Sequence, residues 1–213
     1  MRYWQFGGNP DFGQTNTQQK TQLPMRLIKT LTFLIGAAFL PLLFTGCQTV
    51  PPIDFTVKDV GMVPNRKDAQ LLSLTVGYAP KDQQDKVKAD ASIPPVWKEG
   101  LQDAINRSLV FKDDSTRKVN LSVRITRIDV PGFGLTMTTK VGAIYEVIDR
   151  ANGDLLFSEK VESEGVVPVD YAFVGIVRAV ESANRAVRNN IAEFIKRIGS
   201  ADISKPMFKG TNP

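Results

Sequence analysis

The sequence predicts an α+β fold, a two-layer sandwich in which two helices cover one face of an antiparallel sheet of about five strands. Several segments alternate apolar and polar residues, as strands with one buried face do. Two other segments repeat apolar residues every three or four positions, as amphipathic helices do. The predicted order is β-β-α-β-β-β-α. One-faced helices and a one-faced sheet bury their apolar sides by packing together as two layers.

The first half of the domain is predicted as two strands followed by a helix. Residues 53–62 and 70–78 alternate in polarity, and the turn residues between them predict an antiparallel hairpin. A charged loop follows over 80–90. Pro95 suits the first position of a helix, and apolar residues at helical spacing continue the pattern to about residue 109.

The second half is predicted as three strands in an antiparallel meander. Residues 119–126 alternate most cleanly in the chain, and 135–149 form a longer strand after a Pro-Gly turn. Asn152-Gly153 is a strong hairpin signal, so 155–163 is expected to return beside that strand.

A long amphipathic helix is predicted to end the domain. Asp170 is a suitable N-cap, and Gly199 is a suitable residue to close the helix. The folded domain therefore spans residues 53–199, and residues 200–213 are predicted to be a flexible tail.

Residues 25–46 are organised like a secretory signal peptide. Arg26 and Lys29 precede an apolar run of 14 residues (31–44), and small residues then lead to Cys47. The run is too short to span a bilayer, which needs about 20 residues. Because signals normally begin a chain, we expect residues 1–24 to be an upstream stretch that is not translated; a disordered extension is the alternative.

The sequence Leu43-Phe44-Thr45-Gly46-Cys47 resembles the lipobox of bacterial lipoproteins, although Phe44 occupies the usual leucine position. The resemblance implies that the signal is cut between Gly46 and Cys47 and that Cys47 carries a diacylglycerol with acyl chains such as palmitate. An ordinary secretory signal cleaved nearby, or an uncut anchor helix, are the alternatives. Residues 47–52 would then be a short tether.

The residue after the cysteine implies which membrane holds the anchor. In enteric lipoproteins Asp at this position favours the inner membrane. Gln48 therefore implies the periplasmic leaflet of the outer membrane, with the inner membrane as the alternative.

Two features of the composition exclude several classes of chemistry. The chain has no histidine, and Cys47 is its only cysteine. A Ser-His triad, an intrachain disulfide and a Cys/His zinc site are therefore excluded, and we predict neither a metal nor a cofactor. The formal charge is +5, but residues 1–46 supply +3 of it. This balance does not indicate nucleic-acid binding.

Two groups of residues remain as candidate sites. Glu159, Glu162 and Glu164 could pair as acid and base, but a solvated strand face explains them better, and we predict no catalytic residue. The start of the last helix is apolar on nearly all sides. Either the domain covers it, or Tyr171, Phe173 and Val174 form a patch that binds a partner or acyl chains. Phe133, in a predicted turn, could also touch a membrane or a partner.

The layout is similar to that of small outer-membrane lipoproteins, such as the YajG-like and LptE-like families. This resemblance implies a non-catalytic accessory or adaptor lipoprotein that serves an envelope protein complex and is held at the membrane by its lipid anchor. A carrier or sensor of a small apolar or lipid ligand is the alternative, and it would require an enclosed cavity of roughly 300 Å³ or more. An envelope hydrolase is a third hypothesis, which would need carboxylates, Ser and Lys converging in one cleft.

Overall fold

Five strands and two helices make up the part of the chain that the computed structural model describes, residues 49–210. The chain divides into two units, Met1–Cys47 and Gln48–Pro213, and the described residues belong to the second. The fold class and the order β-β-α-β-β-β-α agree with the sequence prediction. The strands are Gln70–Tyr78 (β1), Asp85–Val87 (β2), Lys118–Asp129 (β3), Met137–Asp149 (β4) and Leu155–Val167 (β5). The helices are Ile93–Ser108 (α1) and Gly175–Ser200 (α2).

The sheet has the order β1-β3-β4-β5, with β2 extending the β1 side of β3. Strands β3, β4 and β5 form the predicted antiparallel meander, and Gly153 at the β4–β5 turn has a φ of 74°. However, β1 and β2 run parallel to β3, so the sheet is mixed rather than wholly antiparallel. Two parallel strands need a connection that crosses back to the starting end of the sheet. Between β1 and β3 this connection includes helix α1.

The predicted strand 53–62 and its hairpin with 70–78 are wrong, because residues 53–62 lie against the helices and not in the sheet. The Phe55 ring meets Trp97 of α1 edge-on, with 6.2 Å between centroids. Its carbonyl lies so close to Gly100 that a Cβ there would be 2.6 Å from the carbonyl oxygen. Arg107 donates to the carbonyls of Val57 and Lys58. The alternation in this segment shows only that one side of an extended chain is buried. That side can be covered by helices as well as by a neighbouring sheet layer.

Both helices cover the same face of the sheet, as predicted. Tyr145 of β4 contacts both, since its hydroxyl accepts a hydrogen bond from Trp97 of α1 and donates one to Asn190 of α2. Helix α1 begins at Ile93 and ends at Ser108, close to the predicted bounds of 95–109.

The predicted start of the last helix is wrong, whereas its last residue, Ser200, is one position beyond the predicted Gly199. Asp170 lies in a short 3₁₀ turn, and the chain is extended at Ala172 and Val174 before α2 begins at Gly175. Gly199 lies inside the helix, where a Cβ would be 2.8 Å from Cγ1 of Val63. The glycine therefore allows the 59–65 segment to pack closely on α2 and does not end the helix.

Residues 201–210 are attached to the domain and are not loose as predicted. Ile203 is buried, and its carbonyl accepts a hydrogen bond from Arg117 at 2.9 Å. Phe208 pairs with Leu155 at the start of β5, and the Gly210 N–H donates to Asp154 at 2.7 Å.

Candidate functional site

The predicted lipidation and cleavage residues, Gly46 and Cys47, lie outside the described residues. The described chain begins at Thr49, and its first fixed point is Pro52. The side-chain amide of Asn184 donates to the Pro52 carbonyl at 3.0 Å and accepts from the Asp54 N–H at 3.1 Å. Arg188 adds an ion pair with Asp54 at 3.2 Å. Residues 52–54 are therefore held against the first half of α2.

From Pro52 the chain runs along α2 toward the C-terminal end of that helix. Asp54 lies at the level of Asn184 and Arg188, whereas Val63 lies at the level of Gly199.

Exposed apolar side chains are concentrated at the end of the domain where α2 begins. We call this surface the apolar end. Its members come from the β3–β4 loop and from the link between β5 and the first turn of α2. They are Phe133, Leu135, Tyr171, Phe173, Val174 and Ile176, of which Phe133 is 92% exposed and Phe173 is 95% exposed. Large apolar side chains exposed together at one end of a domain normally mark an interaction site.

Arg178 joins the two segments of the apolar end. Its guanidinium is buried and donates to the carbonyls of Ala172 and Phe173 on one side and to that of Gly134, at 3.1 Å, on the other. One cation therefore satisfies three backbone acceptors in two loops that are far apart in the sequence. The loops are held in one arrangement although their apolar side chains point outward.

Arg185 borders the same surface. It lies 5.1 Å above the Tyr171 ring, donates to the Val166 carbonyl at 2.9 Å and pairs with Glu181 at 2.8 Å. These contacts place Tyr171 at the edge of the apolar end.

The domain does not cover the three residues predicted as a binding patch. Tyr171 is 45% exposed and Val174 is 39% exposed, and Phe173 extends into solvent. Their role in binding stays a prediction. Sequence reasoning did not include Leu135 or Ile176 in this patch. The signal that could have found Leu135 is the pattern Gly-Phe-Gly-Leu, which places two large apolar side chains in a turn.

The space between the helices and the sheet is filled. The rings of Tyr145 and Phe194 stack with 4.2 Å between centroids, and Phe157 meets Phe194 edge-on. Asn190 donates to the Val161 carbonyl at 2.9 Å while accepting from the Tyr145 hydroxyl. Burial raises the pKa of Tyr145 well above its usual value. Side chains thus occupy the position between the layers where a carrier would hold its ligand.

The glutamates considered as acid and base are paired with cations on the solvent side of the molecule. Glu159 contacts Arg197 at 3.2 Å, Glu162 contacts Lys160 at 2.6 Å, and Glu164 contacts Lys140 at 3.0 Å. The hydrogen bond from Lys160 lowers the pKa of Glu162. A general acid needs a raised pKa, so this shift has the wrong direction for that role.

An open groove of about 410 Å³ lies between residues 59–65 and the last turns of α2. Val60, Met62 and Val63 line one side, and Ile195 lines the other. It is a surface groove at the opposite end of α2 from the apolar end.

Within residues 49–210, no helix combines the length and apolar character needed to cross a bilayer. The same residues contain no cluster of three or more acidic or sulfur side chains that could hold a metal ion.

No protein-family model matches the chain, and no curated protein matches it. Solved structures with a partly similar fold include a Xanthomonas campestris protein of family DUF330, with a TM-score of 0.46 and 9% identity over 68% of this chain and 90% of that chain. A Caulobacter crescentus protein provisionally described as a lipoprotein has a TM-score of 0.37 and 13% identity, and the match covers 62% of this chain and 88% of that chain. A hypothetical protein from Chlamydia trachomatis has a TM-score of 0.44 and 8% identity over 62% and 96%.

Proposed function

We propose that this protein is a lipid-anchored accessory lipoprotein of the bacterial cell envelope, a non-catalytic adaptor tethered through Cys47. The leader and the lipobox resemblance support the anchor, because the sequence reads Leu-Phe-Thr-Gly-Cys after a basic and then apolar stretch. A diacylated cysteine supplies at least two acyl chains, which suffice for stable attachment. Gln48 after the cysteine favours the periplasmic leaflet of the outer membrane.

The filled space between the two layers is the observation that favours an adaptor over a carrier. A carrier needs a cavity between the helices and the sheet, whereas Trp97, Tyr145 and Phe194 have no exposed surface and occupy that space. An adaptor acts through its surface, and this domain has an exposed apolar end and an open groove.

The paired carboxylates support a non-catalytic role. Each of the three glutamates considered has a Lys or Arg partner within about 3 Å. For Glu162, the hydrogen bond from Lys160 lowers the pKa, which opposes a role as a general acid near neutral pH.

The anchor is tested by Cys47→Ala in the native host. We expect the variant to leave the membrane fraction, because no thioether-linked lipid can form without the sulfur. Thr49→Ala is the matched control and should stay membrane-bound, since Thr49 is exposed and close to the same position. Full retention of Cys47→Ala in the membrane fraction would contradict the proposed anchor.

The adaptor role is tested by crosslinking intact envelopes and isolating the mature protein. Recovery of one defined transport or cell-wall complex, in fixed proportion to the protein, supports the adaptor. Recovery of stoichiometric lipid beyond the anchor, without a protein partner, would support the carrier instead.

A further inference from the structure

We propose that the apolar end rests in the interfacial layer of the bilayer that holds the anchor of Cys47, so that the domain stands on the membrane in one orientation. This inference rests on the proposed function and adds the surface through which the domain meets the membrane. The occupant of the apolar end is then lipid, and the groove at the other end of α2 stays accessible to a protein partner.

The exposed side chains have the character that an interfacial surface requires. Phe133 and Phe173 extend almost fully into solvent from the two loops that Arg178 joins. Leu135 and Ile176, which are close to these residues in the sequence, are also exposed. Tyr171 lies at the edge with Arg185 above its ring. Aromatic and aliphatic groups of this kind bury about 5–10 Å into the headgroup and acyl boundary when a surface lies on a membrane.

The backbone at the apolar end is prepared for a less polar environment. Unpaired carbonyls are costly to move out of water. Arg178 satisfies the carbonyls of Gly134, Ala172 and Phe173 from inside the protein. These two loops can therefore leave bulk water without losing hydrogen bonds at those positions.

The length of the tether limits how far from Pro52 the acyl chains on Cys47 can reach. Cys47 is five residues from Pro52, so the chain between them spans at most about 17 Å. Asn184, which binds Pro52, is nine residues from Gly175 at the start of α2, or about 14 Å along the helix axis. Gly199 lies about 22 Å from Asn184 in the other direction. Acyl chains on Cys47 therefore reach a bilayer at the apolar end more easily than one at the opposite end.

Two cations beside the apolar end have carboxylate partners within the protein and need no counterion from lipid headgroups. Arg185 pairs with Glu181 at 2.8 Å, and Lys140 pairs with Glu164 at 3.0 Å. The contact should therefore depend on apolar burial and change little with salt or with the share of anionic lipid.

Tryptophan placed at each end of the domain tests the orientation. The lipidated protein is reconstituted into phosphatidylcholine vesicles, with and without lipid brominated on its acyl chains, which quenches tryptophan at contact. Phe173→Trp reports on the apolar end. Phe208→Trp is the matched control, since Phe208 is also exposed (65%) and lies at the start of β5, up to about 40 Å away along the strand. Trp97 is the only tryptophan after Cys47, and because it is buried it supplies a constant background.

We expect Phe173→Trp emission to shift to shorter wavelength and lose intensity with brominated lipid, while Phe208→Trp emission stays unchanged. The same loss should persist at high salt. Unchanged emission at both positions, or equal loss at both, overturns the inference. A blue shift that follows protein density and not bromination would assign the surface to a second copy of the chain, and it also overturns the inference.

The double variant Phe133→Asp, Phe173→Trp separates the surface from the anchor. It should remain bound to the vesicles through the lipid yet lose the bromine-dependent quenching. If instead the wild-type protein carries no lipid and fails to enter vesicles, the proposed function itself fails, and the inference fails with it.

Discussion

Phe194 and Phe173 both belong to the α2 region, yet Phe194 has no exposed surface and Phe173 is almost fully exposed. Phe194 stacks on Tyr145 between the layers, where each ring fills space left by another. Phe173 lies in a loop whose backbone is held by Arg178 while its ring faces outward. In the interior, an aromatic ring is held by packing against other rings. At the apolar end, the buried side chain of Arg178 holds the backbone, and the aromatic ring itself remains exposed. The predictions below test this division.

The largest expected effect comes from Phe194→Ala. Removing a buried ring that contacts Tyr145 and Phe157 should lower the free energy of unfolding by about 3–5 kcal/mol. Phe173→Ala is the matched control at the apolar end and should change it by less than about 0.5 kcal/mol. Chemical denaturation of both variants checks the pair. Equal losses would contradict the division between interior and displayed rings.

The next effect is expected from Gly165→Ala, at the closest approach of β5 and α2. A Cβ at Gly165 would be 2.1 Å from the Ser182 carbonyl oxygen and 2.3 Å from the Ala186 nitrogen. Because backbone cannot yield as a flexible side chain does, we expect a loss of about 3 kcal/mol in unfolding free energy. Gly77→Ala in β1 is the control, since no atom lies within 4 Å of its Cβ position. A Gly165→Ala variant as stable as the Gly77→Ala variant would refute the tight packing of α2 on β5.

Tyr145→Phe should cost about 1–3 kcal/mol, because the Trp97 N–H and the Asn190 side-chain oxygen each lose a buried partner. The variant also has a pH signature. Burial raises the pKa of Tyr145 above its usual value of 10.0. The free energy of unfolding is therefore unaffected by this group below pH 10 and falls as the pH rises above 10. The reason is that Tyr145 then releases its proton in the unfolded chain but keeps it in the folded chain.

Melting temperatures measured from pH 8 to pH 11 check this prediction. The wild-type protein should lose more stability above pH 10 than Tyr145→Phe does, so the difference between their melting temperatures should become smaller. A constant gap across the range would show that Tyr145 does not keep its proton in the folded state.

The smallest expected change in global stability comes from Arg178→Met, at about 1–2 kcal/mol, since two of the three carbonyls it leaves, those of Phe173 and Gly134, are only partly buried and can reach water. Its local effect should be larger. Hydrogen exchange should become faster in the β3–β4 loop and in residues 172–174, and change little around Asn190. Arg185→Met, which removes a contact at the edge only, is the control. Unchanged exchange in both loops would mean that Arg178 does not hold them together.

The interior was largely predictable from sequence, because periodicity reports which side of an element is covered. The alternation of Val119, Leu121, Val123 and Ile125 identified β3 and its buried face, and Asn152-Gly153 identified the β4–β5 turn. The same pattern misled at 53–62, since an extended segment that covers helices alternates like a strand. Parallel pairing of β1 with β3 depends on a crossover that local patterns do not encode.

The apolar end was only partly predictable. Tyr171, Phe173 and Val174 were selected because the start of the predicted helix is apolar on nearly all sides. The sequence could not show whether the domain covers these side chains. Leu135 and Ile176 join them only because Arg178 connects segments more than 40 positions apart, Gly134 to Arg178, at 3.1 Å. A buried arginine looks like any exposed basic residue of an amphipathic helix until its partners are known.

The central claim, that lipid on Cys47 holds this domain at a membrane, is tested most directly by intact mass analysis of the protein purified from envelopes of its native host. The account predicts a chain that begins at Cys47 and carries the added mass of a diacylglycerol. A chain that retains residues before Cys47 and an unmodified thiol would contradict it.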